Sequence, residues 1–140
     1  MRTETTRLKI DDSKKNVVLI GDALDLMDIV EIYLYKRYNV IATIDEFDGM
    51  KKIEAFKPAC IFIKTTAENT DVILAFLAKL SRANEALRNI PVIAYSKEEN
   101  TTINEFKLKS AGVREIIKFP INWRDFVEVV SSVITRPNSA

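Results

Sequence analysis

Five short apolar runs, each separated from the next by a stretch whose apolar residues recur at helical spacing, constrain this chain more than any other feature. The runs are Val17-Val18-Leu19-Ile20, Val40-Ile41-Ala42-Thr43-Ile44, Cys60-Ile61-Phe62-Ile63, Val92-Ile93-Ala94-Tyr95 and Ile116-Ile117. Most of their residues are β-branched or aromatic, and polar or turn residues bound them, which predicts strands. The first, third and fourth are apolar on both faces, as parallel strands covered by helices on each side must be. A sandwich would alternate instead.

The intervening stripes predict helices. Leu26, Met27, Val30, Tyr33 and Leu34 form the first, Met50, Ile53 and Phe56 the second, and Ile73, Phe76, Leu77 and Leu80 the third. Ile103, Phe106 and Ala111 mark the fourth, with Gly112 at the C′ position, and Trp123, Phe126, Val130, Val133 and Ile134 mark the fifth. The order is (βα)5. Right-handed crossovers with helices on both faces make this a doubly wound α/β sheet, whose functional groups gather at the carboxyl ends of the strands around the switch point.

Composition narrows the chemistry. A chain of 140 residues, 47% of them hydrophobic, suits one domain with a real core. Lys and Arg number 21 against 20 Asp and Glu, a net charge of +1 without a long single-sign run, so nothing favours nucleic acid or an anionic membrane. The absence of histidine removes Ser-His and Cys-His nucleophile pairs, His-based metal sites and phosphohistidine relays. Gly21, Gly49 and Gly112 are too far apart to write a GxGxxG or Walker A phosphate cradle. The lone Cys60 sits in an apolar run and reads as a buried structural thiol in a reducing compartment. Residues 1–15 lack the apolar core of a signal peptide, and no apolar stretch reaches the ~18 residues of a membrane span. The expectation is a cytoplasmic protein with a loose N-terminal extension over 1–15, a domain over 16–135 and a tail over 136–140.

The strand ends carry Gly21-Asp22, Lys64-Thr65-Thr66, Ser96 and Lys118-Phe119-Pro120. Together with the segments "VVLIGDALDLM", "FKPACIFIK", "ALRNIPVIAYS" and "SAGVREIIKFP", they make the chain resemble the receiver domain of two-component response regulators, the CheY-like superfamily, over nearly all of 16–135. The resemblance implies a flavodoxin-like three-layer sandwich with its five parallel strands in the order 2-1-3-4-5. It also implies a role in phosphorelay signal transduction. In that family an acidic pair follows the first strand and a phosphoryl-accepting Asp ends the third. A Ser or Thr ends the fourth, and a Lys precedes a Pro after the fifth.

Matched position by position, the acidic pair is here Gly21-Asp22, the acceptor Lys64, the hydroxyl Ser96, and the Lys is Phe119 before the matching Pro120. Ile116 stands where the family carries a switching aromatic. An ammonium at neutral pH offers no lone pair to a phosphoryl group, so Lys64 cannot replace the acceptor carboxylate. Asp22 and Lys64 sum to zero charge, which suits no hard divalent cation. The resemblance therefore implies a degenerate receiver with no catalytic residue, no metal and no cofactor. Two readings stand for Lys64. One is an ion pair with Asp22 in the cation's place, worth about 4 kcal/mol of Coulomb energy at ~4 Å and a dielectric of ~20 before desolvation. The other is an ammonium snorkelling off a strand end.

Further residues have plain structural readings. Ser96-Lys97-Glu98-Glu99 fits S-x-x-E and reads Ser96 as a helix cap. Asp22, Asp25 and Asp28 complement a helix dipole. Phe119-Pro120 is expected to be cis, as the matching bond commonly is in the family. With no chemistry, function falls to surfaces. Ile32 and Tyr35 lie off the core stripe of the first predicted helix and Leu108 off that of the fourth, so all three are candidate contact residues. The resemblance implies partners of the sensor kinase, phosphotransfer or effector kind, and a homodimer through the fourth and fifth helices. A small-ligand-binding domain or enzyme using the same end of a flavodoxin-like sheet is the alternative.

Overall fold

The computed structural model describes residues 11–21, 30–66, 68–97 and 103–135, with the side chains of Ile103 and Asn104 left aside. Strand β1 (Lys15–Ile20) leads to the helical segment α1 (30–34), β2 (Tyr38–Thr43), α2 (Glu46–Phe56) and β3 (Cys60–Lys64). Then come α3 (Thr70–Ser81), a single-turn α4 (Glu85–Arg88), β4 (Val92–Lys97), α5 (Ile103–Ser110), β5 (Val113–Phe119) and α6 (Trp123–Thr135). All pairings are parallel and the order is β2-β1-β3-β4-β5, the doubly wound sheet with its switch between β1 and β3.

The central strands bury both faces, because each alternate set of side chains meets a helical layer. Val18, Ile20, Ile61, Ile63, Val92 and Ala94 pack against Met50 and Ile53 of α2, the stripe Ile73, Phe76, Leu77 and Leu80 of α3, and Leu108 of α5. Val17, Leu19, Cys60, Phe62, Ile93 and Tyr95 pack against Val30 and Leu34 of α1 and Phe126, Val130 and Val133 of α6. α2 lies so close to the sheet that a Cβ on Gly49 would stand 2.6 Å from Ile20 Cδ1.

Local sequence sets the boundaries. Asp45 caps α2 by accepting from Asp48 N–H at 2.7 Å, and Glu46 and Asp48 face the positive end of its dipole. Asn122 accepts from Asp125 N–H at 2.8 Å at the start of α6. Gly112 follows α5 at φ 116°, a conformation that glycine alone adopts without strain.

Three expectations differ from the structure. Leu108 is not a surface residue: it is 1% exposed in the α2/α3/α5 core, while Phe106, expected to face inward, is 78% exposed. Residues two apart on a helix point about 200° apart, so only one of the pair can meet the sheet, and it is Leu108. Ser96 is not a helix cap, since Lys97 after it still belongs to β4. The third difference concerns residues 11–15: Lys15 opens β1, and Asn39 both accepts from Asp11 N–H at 3.0 Å and donates to Asp11 C=O at 2.9 Å, fastening this segment to β2.

Candidate functional site

The switch point sets Gly21 beside Lys64. Ile20 pairs with Ile63, so the residues that follow are neighbours across the β1–β3 seam, and Lys64 in turn pairs with Tyr95 of β4. Gly21 is buried and its N–H donates to Thr43 C=O at 3.0 Å. Lys64 is half-buried on the α1/α6 side, where alternation along β3 puts it with Cys60 and Phe62. The loop after Lys64 is closed by its own polar groups. Asn69 accepts from Thr66 N–H at 2.7 Å and donates to Lys64 C=O at 3.1 Å, and Thr66 Oγ1 accepts from Asn69 N–H at 3.1 Å.

Phe119 fills its corner with hydrocarbon. It is 6% exposed, and its ring centroid lies 6.3 Å from Tyr33, 6.5 Å from Tyr95 and 6.1 Å from Phe126. Trp123 stands edge-on to Tyr33 at 5.4 Å and Phe62 stacks on Phe126 at 6.4 Å, so six aromatic rings run from β3 to α6. Offset and edge-on pairs of this kind add about 0.5–1.5 kcal/mol each beyond their buried area. The Phe119–Pro120 bond that leads into α6 is cis, as expected.

Ser96 lies on the opposite face of the sheet, 3% exposed and paired with Lys118 of β5. Lys118 forms an ion pair with Glu105 of α5. Among the described residues, no three His, Cys, Asp or Glu side chains come together as a cation would require. Asp22 and the expected Asp22–Lys64 ion pair lie outside the described residues, as do Asp25 and Asp28. The structure thus brings together Gly21, Lys64 and Phe119 around Tyr95, and separates them from Ser96 by the thickness of the sheet. Ile32 on α1 and Tyr35, in the turn just after it, are 63% and 55% exposed.

Tyr95 is the site residue that the sequence concealed. It reads there as one more apolar strand residue, yet its hydroxyl donates to Ile20 C=O at 3.3 Å and so reaches the end of β1 from β4. Only the sheet order, which inserts β3 between them, makes that reach visible.

No protein-family model and no curated protein matches the chain by sequence. Solved structures do match by shape. The CheY-like TadZ protein of Pseudomonas aeruginosa PAO1 superposes with a TM-score of 0.71 at 15% identity, over 86% of this chain and 99% of that one. A signal receiver domain from Vibrio parahaemolyticus gives 0.69 at 17% identity, over 88% and 92%. NtrX of Brucella abortus, solved with ADP, gives 0.73 at 16% identity over 86% of this chain, which spans only 26% of NtrX. Such identities speak for architecture alone, and the architecture they share with the β2-β1-β3-β4-β5 sheet is that of a CheY-like receiver domain.

Proposed function

We propose that this chain is a receiver-like signalling module of the two-component type that takes no phosphoryl group at the usual position and acts through protein contacts. The observation that carries the reading is Lys64 at the end of β3, beside Gly21, with Phe119 buried among aromatic rings. Each of the three removes one requirement of phosphotransfer. Lys64 has no carboxylate oxygen to attack phosphorus, Gly21 supplies no acid to a divalent cation, and Phe119 supplies no ammonium to the transferred group. The partner is a protein of the sensor kinase, phosphotransfer or effector kind. Ile32 on α1 and Tyr35 in the turn after it present apolar surface for it, and α5 and α6 offer a second face suited to self-association.

The test is a titration with Mg²⁺ and beryllofluoride, and separately with acetyl phosphate, recorded as amide shifts of residues 21, 64 and 96. The expected outcome is no saturable response. Saturable shifts confined to those residues overturn the reading. Restoring Lys64→Asp alone also leaves the chain unresponsive, because positions 21 and 119 still lack an acid and an ammonium.

A further inference from the structure

Gly21 is not explained by its backbone. Among the described residues the only glycine with positive φ is Gly112, so the conformation at position 21 is open to any L residue. Space explains it. A Cβ built on Gly21 would stand 2.5 Å from the Tyr95 hydroxyl oxygen, closer than carbon and oxygen approach without a bond, but 3.4 Å from Lys64 Cβ and 3.6 Å from Tyr95 Cζ, which are ordinary contacts. One oxygen atom is therefore the whole obstruction.

That oxygen has little room to move. Tyr95 is fully buried, its ring meets Phe119 edge-on, and its hydroxyl is hydrogen-bonded to Ile20 C=O, the carbonyl immediately before Gly21. Displacing it would break that bond and drive a rigid ring into the α1/α6 core, where overpacking costs about 1–3 kcal/mol.

We propose that the Tyr95 hydroxyl closes position 21 to every side chain, and so excludes the second carboxylate that a divalent cation would need at this end of the sheet. The inference rests on the reading of the site as unable to hold such a cation, and deepens it. The cation site is shut by a contact inside the core as well as by the charges missing from its rim. An acid introduced at position 21 meets the same oxygen as any other side chain.

The contact is tested by a double-mutant cycle between Gly21→Ala and Tyr95→Phe, read as melting temperature. Gly21→Ala in the Tyr95 background is expected to lower Tm by roughly 5 °C, and in the Tyr95→Phe background by less than about 2 °C. Failure of Gly21→Ala to fold while the double variant folds is the same result in stronger form. Equal losses in the two backgrounds, including failure of both to fold, overturn the inference. The titration of the unsubstituted chain with Mg²⁺ and beryllofluoride is a separate reading: saturable shifts there refute the proposed function, while the cycle alone decides the contact.

Discussion

Cys60 has no exposed surface, and burial raises its thiol well above the ordinary value of 9.0. The folded chain therefore holds the thiol proton at pH values where the unfolded chain has lost it. That contribution to stability is complete below about pH 9 and declines as pH rises beyond it, because the unfolded state then binds fewer protons. Buried and protonated, Cys60 is also a poor nucleophile. At pH 8 it should react with a chromogenic disulfide at least about 10³-fold more slowly than a free thiol, at a rate set by opening of the chain. Rapid labelling of the native protein would contradict this placement. At the same scale, the sequence makes Lys64 and Phe119 legible as departures from the pattern the chain resembles. It does not show what fills the space, because the rings around Phe119 come from β4, α1 and α6 and meet only in the folded chain.

Among the elements, the strands and the helices α2 and α3 follow from their apolar periods, and each residue of the stripe Ile73, Phe76, Leu77 and Leu80 is buried. α5 is where the pattern misleads. In eight residues, INEFKLKS, only Ile103, Phe106 and Leu108 are apolar, so two helical phases compete and only contact with the sheet selects one. The selection is measurable. Leu108→Asp puts a charge into the α2/α3/α5 core and should lower unfolding free energy in urea by about 3 kcal/mol or more, whereas Phe106→Asp should change it by less than about 0.5 kcal/mol. The reverse ranking would refute the phase. The turn α4 was equally hidden: it is four residues long, held by Asn84 accepting from Leu87 N–H at 3.2 Å, too short for any period to register.

For the whole molecule, the two apolar clusters on either side of the sheet share β1, β3 and β4 as their floor, and neither layer of helices has a core without it. Unfolding should therefore be a single transition. Trp123, the chain's one tryptophan, packs on Tyr33 and reports the α1/α6 side, so its fluorescence and the far-ultraviolet circular dichroism of the whole chain should share one urea midpoint. Separate midpoints would show that the layers melt independently. The doubly wound architecture was legible at this scale because five runs and five stripes leave few topologies, and the switch point directed attention to the strand ends that carry Gly21-Asp22 and Lys64. The contact between Gly21 and Tyr95 was not, since the two lie 74 positions apart in the numbering and belong to strands separated by a third.

That contact also bears on history. If a carboxylate once stood at position 21, it had to leave before, or together with, the arrival of the Tyr95 hydroxyl, for the two cannot occupy the same space. Return is then barred in single steps, because a side chain regained at 21 is selected against for stability while Tyr95 remains. A lineage carrying both residues is committed: drift at the surface stays free, but a side chain at position 21 lies behind a valley that only paired change crosses.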